Sequence, residues 1–400
     1  MLAISGCQTI TRPHLGAQYS SREMIEKLVG FDTVSRSSNL ALIDFVAEYL
    51  AGHGITATRV YNADKTKANL YATVGPQVEG GIVLSGHTDV VPVDGQPWVT
   101  DPFVLTEKDG RLYGRGTADM KSFSAIALAK VPEMLAKPLK YPLHFALSYD
   151  EEVGCLGAPA MIDEIATRLP RPRAVIVGEP TMMEVVSAHK GIMTLQTTVT
   201  GREAHSSLVE DGVSAVMVAV RLIAFIGDMM AENKARAMPD SPFWPPYSTL
   251  TCGIVNGGTA GNILARECRF LWDIRHIPED NPLDFITRFQ AYGEGVLLPP
   301  LRVIAPEAAI VTEIIANVPA LAPEAQGEAE MLCRSLTGLN TTSAASYAAE
   351  AGQFQQAGFS TVLCGPGSIT VAHQPNEYIE LSQVKAGEQF LSKLIGRLCL

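Results

Sequence analysis

The chain has 400 residues, of which 47% are hydrophobic and 18% are charged, and its 34 glycines and 25 prolines form no repeat. This length exceeds that of a small binding module and predicts two or three hydrophobic cores in a globular protein. The formal net charge of -11 opposes binding to a nucleic-acid backbone or to an anionic membrane surface. We therefore expect neither nucleic acid nor membrane among the partners.

The cysteines and the apolar stretches of the sequence indicate the cellular compartment of the protein. The seven cysteines are odd in number and none are paired at zinc-finger spacing, so a reducing compartment fits better than a disulfide framework. The first seven residues, MLAISGC, end like a lipoprotein cleavage site but lack a basic start and a full apolar core. The most apolar stretch, residues 213–230, contains Arg221 and Asp228, which favours a buried helix over a membrane span. We therefore expect a cytoplasmic protein.

The first 180 residues alternate between helical and strand-like patterns. Asn39 is positioned to cap a helix whose apolar residues recur three and four positions apart, and residues 122–135 predict another helix. Short apolar runs predict strands at residues 81–84, 143–149 and 174–177. Buried runs alternating with helices favour an α/β domain whose mostly parallel or mixed sheet is covered by helices on both faces.

From about residue 186 the pattern changes. It predicts a strand, a long helix, two strands and another helix, at residues 192–200, 213–230, 250–255, 268–275 and 281–296. This order is typical of a compact α+β unit of ferredoxin-like type with an antiparallel sheet. A helix at 328–336 and a strand at 361–364 follow. We therefore predict a larger α/β domain formed by residues 1–185 and 312–400, with a smaller domain, residues 186–311, inserted into it.

Acidic and imidazole side chains follow the apolar runs or lie in a nearby loop: His87, Asp89, Asp119, Glu151, Glu152, Glu179 and His373. Any one of them, taken alone, is more often a solvated or capping residue than a ligand. In open α/β sheets, however, ligands bind beyond the carboxyl ends of the strands, where several of these residues would meet. Carboxylates buried together destabilise a fold unless a cation neutralises them. The sequence therefore predicts a metal centre, and the mixture of imidazoles and carboxylates favours Zn²⁺ or Co²⁺ over Ca²⁺ or Mg²⁺.

Six segments, in this order along the chain, resemble the M20 metallopeptidase family. They are SGHTDVVPV (85–93), RLYGRGTADMKS (111–122), SYDEEVGCLGA (148–158), GEPT (178–181), GREAHSS (201–207) and GPGSITVAHQPNEY (365–378). The resemblance extends from about residue 22 to the C-terminus. Within the family, the last segment and EAGQFQQAG (350–358) look most like the acetylornithine deacetylase branch, although Asn376 stands where aspartate is expected.

Carried over motif by motif, the resemblance implies two divalent metal ions, Zn or Co, that share the carboxylate of Asp119. One ion would also be held by His87 and Glu179, and the other by Glu152 and His373. A carboxylate that bridges two cations holds them at a separation suited to sharing one nucleophilic water. The resemblance therefore implies a dinuclear hydrolase acting on amide bonds.

Three further residues are expected to be catalytic. The resemblance assigns Glu151 as the general base, which takes a proton from the attacking water and returns it to the leaving amine. Asp89 lies two residues after His87, so on an extended backbone its carboxylate could accept the second imidazole N–H. The resemblance also implies a homodimer whose inserted domain acts as a lid and brings His205 of the partner subunit to the oxyanion. Taken without the resemblance, His205 is a polar residue at a strand end.

The implied substrate is a small N-acyl amino acid, and the acetylornithine deacetylase branch implies deacetylation of N-acetylornithine in arginine biosynthesis. Arg275 and Asn262 are candidates to bind the substrate, Arg275 because its guanidinium matches a carboxylate. Glu350 is a candidate to bind a cationic side amine. A general aminoacylase and a desuccinylase remain open, because metal ligands do not separate these substrates. A binding protein that has lost catalysis is an alternative from another class, but it should lack a metal ligand or the base, and all of these residues are present here. A nucleotide-binding loop at residues 114–116 is not favoured, because the GxGxxG spacing is missing.

Overall fold

The computed structural model describes residues 16–400, so the MLAISGC segment considered above lies outside the described residues. The first part of the chain forms α1 (Ser21–Val29), α2 (Leu40–Gly52), β1 (Ala57–Tyr61), β2 (Ala68–Val74), β3 (Ile82–His87), β4 (Thr106–Lys108), β5 (Arg111–Tyr113), α3 (Lys121–Ala129), α4 (Val131–Ala136), β6 (Leu143–Ser148), α5 (Ala158–Arg168), β7 (Ala174–Pro180) and β8 (Val186–His189). The middle part forms β9 (Gly191–Thr200), α6 (Ala215–Ala235), β10 (Thr249–Gly257), β11 (Glu267–His276), α7 (Pro282–Tyr292), a π-helical turn (Gly293–Leu297), α8 (Leu298–Ile304) and β12 (Ala309–Val318). The last part forms α9 (Glu328–Thr337), β13 (Ser343–Ala345), α10 (Ala351–Gln356), β14 (Thr361–Gly365), a 3-10 turn (Ile369–Val371), β15 (Tyr378–Glu380) and α11 (Leu381–Leu398).

The larger domain contains an eight-stranded mixed sheet in the order β1-β2-β6-β3-β7-β14-β8-β13. Its central strands β6, β3, β7 and β14 are parallel, whereas β1 and β2 are antiparallel to their neighbours. Leu84 and Ile176 face a core covered by helices such as α1, α3 and α11, and Val83 and Val175 face a second core under α5 and α10. Burial on both faces explains why these strands are continuous apolar runs in the sequence.

The smaller domain has a four-stranded antiparallel sheet in the order β10-β11-β9-β12, built from the chain order β9-α6-β10-β11-α7-β12. This is the topology of a ferredoxin-like fold. Alternate residues of β9, including Met193 and Leu195, pack with α6 and α7 in a separate core. The prediction of an α/β domain with an additional α+β unit is therefore confirmed.

The boundaries expected for the smaller domain at residues 186 and 311 need correction. Strand β8 pairs with β13 and β14, so it belongs to the larger sheet, and the smaller sheet begins at Gly191. Residue 311 lies inside β12, which pairs with β9 along its length and ends at Val318. The sequence did not predict β12 because this edge strand is mostly exposed and has no apolar alternation.

Two helix predictions also change in detail. The helix expected at residues 122–135 is divided into α3 and α4, because Pro132 lies in the first turn of α4 and has no N–H to donate to the preceding turn. Asn39 stands at the start of α2 but makes no capping bond; its Nδ2 donates to the Ala68 carbonyl at 2.8 Å and to Thr88 Oγ1 at 2.9 Å. Among residues 16–400, no helix combines the length and apolarity needed to cross a bilayer.

Candidate metal centre

The predicted ligands converge because their strands are parallel neighbours. Strand β3 pairs in parallel with both β6 and β7, so the carboxyl ends of the three strands lie side by side. His87 is the last residue of β3, Glu179 lies near the end of β7, and Glu151 and Glu152 follow β6. The sheet therefore brings these four side chains to one edge, where ligands bind in folds of this class.

Asp119 lies between two imidazoles at this edge. Its Oδ1 is 3.0 Å from His87 Nε2 and its Oδ2 is 3.3 Å from His373 Nε2. Glu179 Oε1 is 4.0 Å from His87 Nε2, and Glu152 Oε2 is 3.0 Å from His373 Nε2. Each group of three, one with His87 and Glu179 and one with His373 and Glu152, has potential ligand atoms within 4.8 Å of one another. The structure thus brings together all five expected ligands, in two groups that share Asp119.

The electrostatics of the site favour positive charge. Burial raises the pKa of Glu151 to about 8, and the charges of Glu152 and Asp119 add to this shift. Burial, together with the charges of Asp119 and Glu151, raises the pKa of Glu179 well above its ordinary range. Hydrogen bonds with Asp119 and Glu152 raise the pKa of His373 to about 10. Bound protons or bound cations relieve such repulsion, and imidazole nitrogens with carboxylate oxygens form a donor set that suits Zn²⁺ or Co²⁺.

Asp89 has a different partner from the one expected. His87 Nδ1 is 2.8 Å from the Asp89 backbone carbonyl but 3.8 Å from its carboxylate. The Asp89 carboxylate instead accepts hydrogen bonds from the backbone amides of Glu151 and Glu152, at 3.1 and 3.3 Å, and from Ser35 Oγ at 2.6 Å. Strand β3 ends at His87, so the alternation that would place both side chains on one face does not continue to Asp89. The expected carboxylate contact is therefore wrong, and Asp89 supports the turn that carries Glu151.

A cavity of about 510 Å³ lies over these residues, between the two domains. Its lining includes Glu151, Glu152, Cys155, Tyr347 and His373 from the larger domain, and Ile192, Thr194 and Arg275 from the smaller one. Cys155 Sγ donates a hydrogen bond to Glu151 Oε1 at 3.2 Å. The sequence suggested only a packing role for Cys155, because its separation of four residues from Glu151 does not by itself reveal the tight turn that joins them.

The three expected substrate-binding residues lie in different places. Arg275 lines the cavity. Glu350 is 1% exposed, and its two oxygens accept hydrogen bonds from Ser85 Oγ at 2.6 Å and Ser148 Oγ at 2.7 Å. Glu350 therefore lies beneath the site and is not available to a substrate amine, which corrects that expectation.

Asn262 and His205 lie together at the surface of the smaller domain. The Asn262 carbonyl accepts a hydrogen bond from the Ser206 amide at 2.9 Å, and His205 Nδ1 lies 2.7 Å from Ser207 Oγ. Both His205 and Asn262 are exposed, and neither belongs to the described lining of the cavity. Within one chain the structure therefore does not bring these two residues to the metal centre.

Sequence reasoning missed a buried residue next to the ligands. Glu377 Oε1 accepts hydrogen bonds from the backbone amides of Ala118 and Asp119, at 2.8 and 3.1 Å. Its other oxygen pairs with Arg115, and both side chains are 1% exposed. The sequence shows Glu377 four positions after His373, but it does not show that Glu377 pairs with the distant Arg115.

The ligand groups and the fold agree with a comparison to known families. Residues 83–397 match the profile of peptidase family M20/M25/M40. The chain belongs to this family. Membership in the M20 family makes it a metal-dependent hydrolase and confirms the resemblance found in the sequence. The acetylornithine deacetylase of Myxococcus xanthus is 34% identical over 389 residues, which cover 94% of this chain and 97% of that protein. The acetylornithine deacetylase of Pasteurella multocida strain Pm70 is 33% identical over 394 residues, with 94% and 97% covered.

Comparison with solved structures supports the same fold. The aminopeptidase PepT from Bacillus cereus ATCC 10987 superposes with a TM-score of 0.71 at 18% identity, covering 95% of this chain and 98% of that chain. The M20 family metallo-carboxypeptidase Sso-CP2 from Sulfolobus solfataricus also gives a TM-score of 0.71, at 16% identity, covering 96% and 100%. At these identities the structures define the architecture and leave the substrate to be argued from the site.

Proposed function

We propose that this M20 hydrolase removes the acetyl group from N-acetyl-L-ornithine, giving ornithine and acetate in the cytoplasmic synthesis of arginine. Near full-length similarity to two acetylornithine deacetylases supports the substrate. The six described cysteines are all free, which agrees with a reducing compartment. The observation that carries the proposed chemistry is the pair of ligand groups around Asp119, beside Glu151 in the wall of the cavity.

We assign two divalent ions, Zn or Co, to the two ligand groups. His87 and Glu179 would hold one ion, Glu152 and His373 the other, and Asp119 both. When bound, the ions would supply Lewis acidity that polarises the acyl carbonyl and lowers the pKa of the attacking water. The assignment fits the observed donor set, in which the two oxygens of Asp119 face different imidazoles.

Glu151 is the general base and acid of the proposed reaction. Its carboxylate takes a proton from water, the water oxygen bonds to the acyl carbon, and Glu151 returns the proton to the nitrogen as the C–N bond breaks. The products are the free amine and acetic acid, which ionises to acetate by losing its proton to solvent, so the reaction needs only water. Cys155 Sγ donates a hydrogen bond to Oε1 of Glu151. We therefore assign the other oxygen, Oε2, as the atom that takes the proton from water. The Asp89 carboxylate holds the Glu151 backbone during both proton transfers.

Arg275 is our candidate to bind the α-carboxylate of the substrate, because it is the arginine in the described lining of the cavity. The described lining contains no carboxylate other than Glu151 and Glu152 that could bind a cationic side chain. This observation favours a second candidate function, deacylation of N-acyl amino acids with neutral side chains. The two candidates share Arg275 and the metal centre and differ only in the side-chain pocket.

We also propose a homodimer formed through the smaller domain, in which His205 of the partner subunit stabilises the oxyanion of the reaction. Strand β10 is an edge strand, and its Ile254 and Val255 are each more than half exposed. Met217 and Val220, three positions apart on α6, are also more than half exposed. Apolar side chains exposed beside a free strand edge favour association between copies of the chain.

A substrate panel tests the proposed function. We would measure acetate or succinate release by the Zn²⁺- or Co²⁺-loaded protein from N-acetylornithine, N-acetylmethionine and N-succinyl-diaminopimelate. The proposal predicts that kcat/KM for N-acetylornithine exceeds the others by at least about tenfold, roughly 1.4 kcal/mol in transition-state binding. Preference for N-acetylmethionine would establish the second candidate instead. No turnover of N-acetylornithine would refute the leading one.

A further inference from the structure

His373 is the least confined of the five proposed ligands. Its side chain is 51% exposed, whereas that of Asp119 is 7% exposed. The residue also has a left-handed backbone with φ of 62°, a conformation that non-glycine residues rarely adopt without support. Packing around the imidazole therefore does not fix its position, and the turn that carries His373 must be held by other contacts.

Hydrogen bonds from two polar side chains hold this turn. Gln96 Nε2 donates to the His373 carbonyl at 3.0 Å, and Gln96 Oε1 accepts from Arg115 Nη2 at 2.6 Å. Arg115 Nη1 donates to the Gln374 carbonyl at 3.3 Å. Trp98 Nε1 also donates to Gln96 Oε1, at 3.0 Å, which fixes the orientation of the Gln96 amide. Two consecutive backbone carbonyls, those of His373 and Gln374, are therefore hydrogen-bonded to Gln96 and Arg115.

The same network reaches the backbone of Asp119, the residue shared by the two ligand groups. Arg115 Nη1 is 2.7 Å from Glu377 Oε2, and Glu377 Oε1 accepts the backbone amides of Ala118 and Asp119. One buried ion pair therefore connects the backbone at Asp119 with the turn of His373. Replacing such a pair with apolar groups is often neutral for stability, so stability alone does not account for it.

We propose that Gln96, Arg115 and Glu377 are positioning residues that set the spacing between Asp119 and His373. This inference rests on the proposed metal centre and names these three residues as the determinants of affinity for the ion held by Glu152 and His373. The other ion depends on the network only through the shared Asp119, because its remaining ligands, His87 and Glu179, lie on strands of the central sheet. Loss of the Gln96 hydrogen bond to the His373 carbonyl should therefore selectively weaken the ion held by Glu152 and His373.

The first test compares Gln96→Ala with the matched control Gln374→Ala. Gln374 is exposed in the same turn, and only its backbone carbonyl, which alanine keeps, takes part in the network. Metal-free proteins would be titrated with Co²⁺ by calorimetry and by visible absorption. We expect Gln96→Ala to lower the affinity for the ion held by Glu152 and His373 about 10- to 100-fold, as for other residues that support metal ligands. The affinity for the ion held by His87 and Glu179, and both affinities of the control variant, should stay within about twofold of wild type.

A second variant, Glu377→Gln, removes the charge that pairs with Arg115 and should weaken the same ion at least as strongly; because Glu377 also holds the Asp119 amide, the other ion should be weakened too, through the shared Asp119. Thermal unfolding of the metal-free variants would identify a general loss of structure, which Gln96→Ala should not cause. Wild-type binding of both ions by Gln96→Ala, or equal weakening of both, would overturn the positioning role. If the wild-type protein binds fewer than two ions, the metal centre itself is wrong and the inference falls with it. Activity is not needed for either outcome, so failure of the N-acetylornithine assignment would be recognised separately.

Discussion

The carboxylate of Asp89 accepts a hydrogen bond from the backbone amide of Glu151, with Oδ1 3.1 Å from the nitrogen. Asp89 therefore acts on the proposed base through the backbone and lies outside the described lining of the cavity. A turn that carries a general base must hold it within a fraction of an ångström of its working position. Loss of the Asp89 carboxylate should therefore slow the chemical step without changing substrate binding.

We predict that Asp89→Ala lowers kcat about 10- to 100-fold and leaves KM within about threefold, because the Glu151 turn loosens while the substrate pocket is unchanged. Asp89→Asn keeps one acceptor oxygen for the amide and should recover most of the loss. Steady-state kinetics of the two variants provide the measurement. Equal kcat values for Asp89→Ala and wild type would show that the turn needs no such support.

For Glu151→Gln we predict a fall in kcat of about 10²- to 10⁴-fold, the usual contribution of a general base. Gln keeps the shape of the side chain but does not take the proton. Elemental analysis should find the metal content unchanged, because Glu151 belongs to neither ligand group. Retained turnover, or loss of metal together with turnover, contradicts the assigned role.

Arg275→Ala should raise KM for N-acetylornithine about tenfold or more, because a charged hydrogen bond contributes roughly 1.5 to 3 kcal/mol. Arg269 is a matched control on the same strand: it pairs with Glu267 and lies outside the described lining of the cavity. Arg269→Ala should leave KM unchanged. An unaltered KM in Arg275→Ala would remove this residue from the substrate site.

His189, the buried last residue of β8, should make stability depend on pH. Its Nδ1 donates to the Lys190 carbonyl at 2.9 Å and its Nε2 accepts from the Gly352 amide at 3.2 Å, so the folded state requires a neutral ring. Burial lowers the pKa of His189 to about 4, so the unfolded chain binds the proton more readily and stability falls as pH drops from 6.5 towards 4.

Between pH 8 and pH 5 this residue should cost about 2 kcal/mol of unfolding free energy. His189→Asn should be less stable at pH 8 but lose correspondingly less on acidification. Urea unfolding of both proteins at the two pH values, with a chelator present, gives the comparison. An identical pH dependence in the variant would contradict the neutral-ring assignment.

The sequence predicted the central sheet and the convergence of the ligands for a simple reason. Parallel strands end at one edge, so residues that directly follow or close apolar runs, such as His87, Glu152 and Glu179, must meet there. Asp119 and His373 come from loops, and only their resemblance to family motifs joined them to the others. Local pattern and motif together were therefore sufficient for the candidate ligand set.

The remaining errors have physical causes that no local pattern contains. Strand β12 lies at an exposed edge, so it lacks the apolar alternation that identifies a half-buried strand. Glu350 was expected in a substrate pocket, but Ser85 and Ser148 bind it below the site. The pairing of Arg115 with Glu377 joins positions 262 residues apart, and its importance depends on burial that appears only in the folded chain.

The most direct measurement of the central claim is anomalous X-ray diffraction from crystals grown with Zn²⁺ or Co²⁺. The account predicts two metal peaks per chain, one contacting His87 and Glu179 and the other contacting Glu152 and His373, with Asp119 bound to both. A single peak, or peaks that do not share Asp119, would contradict it.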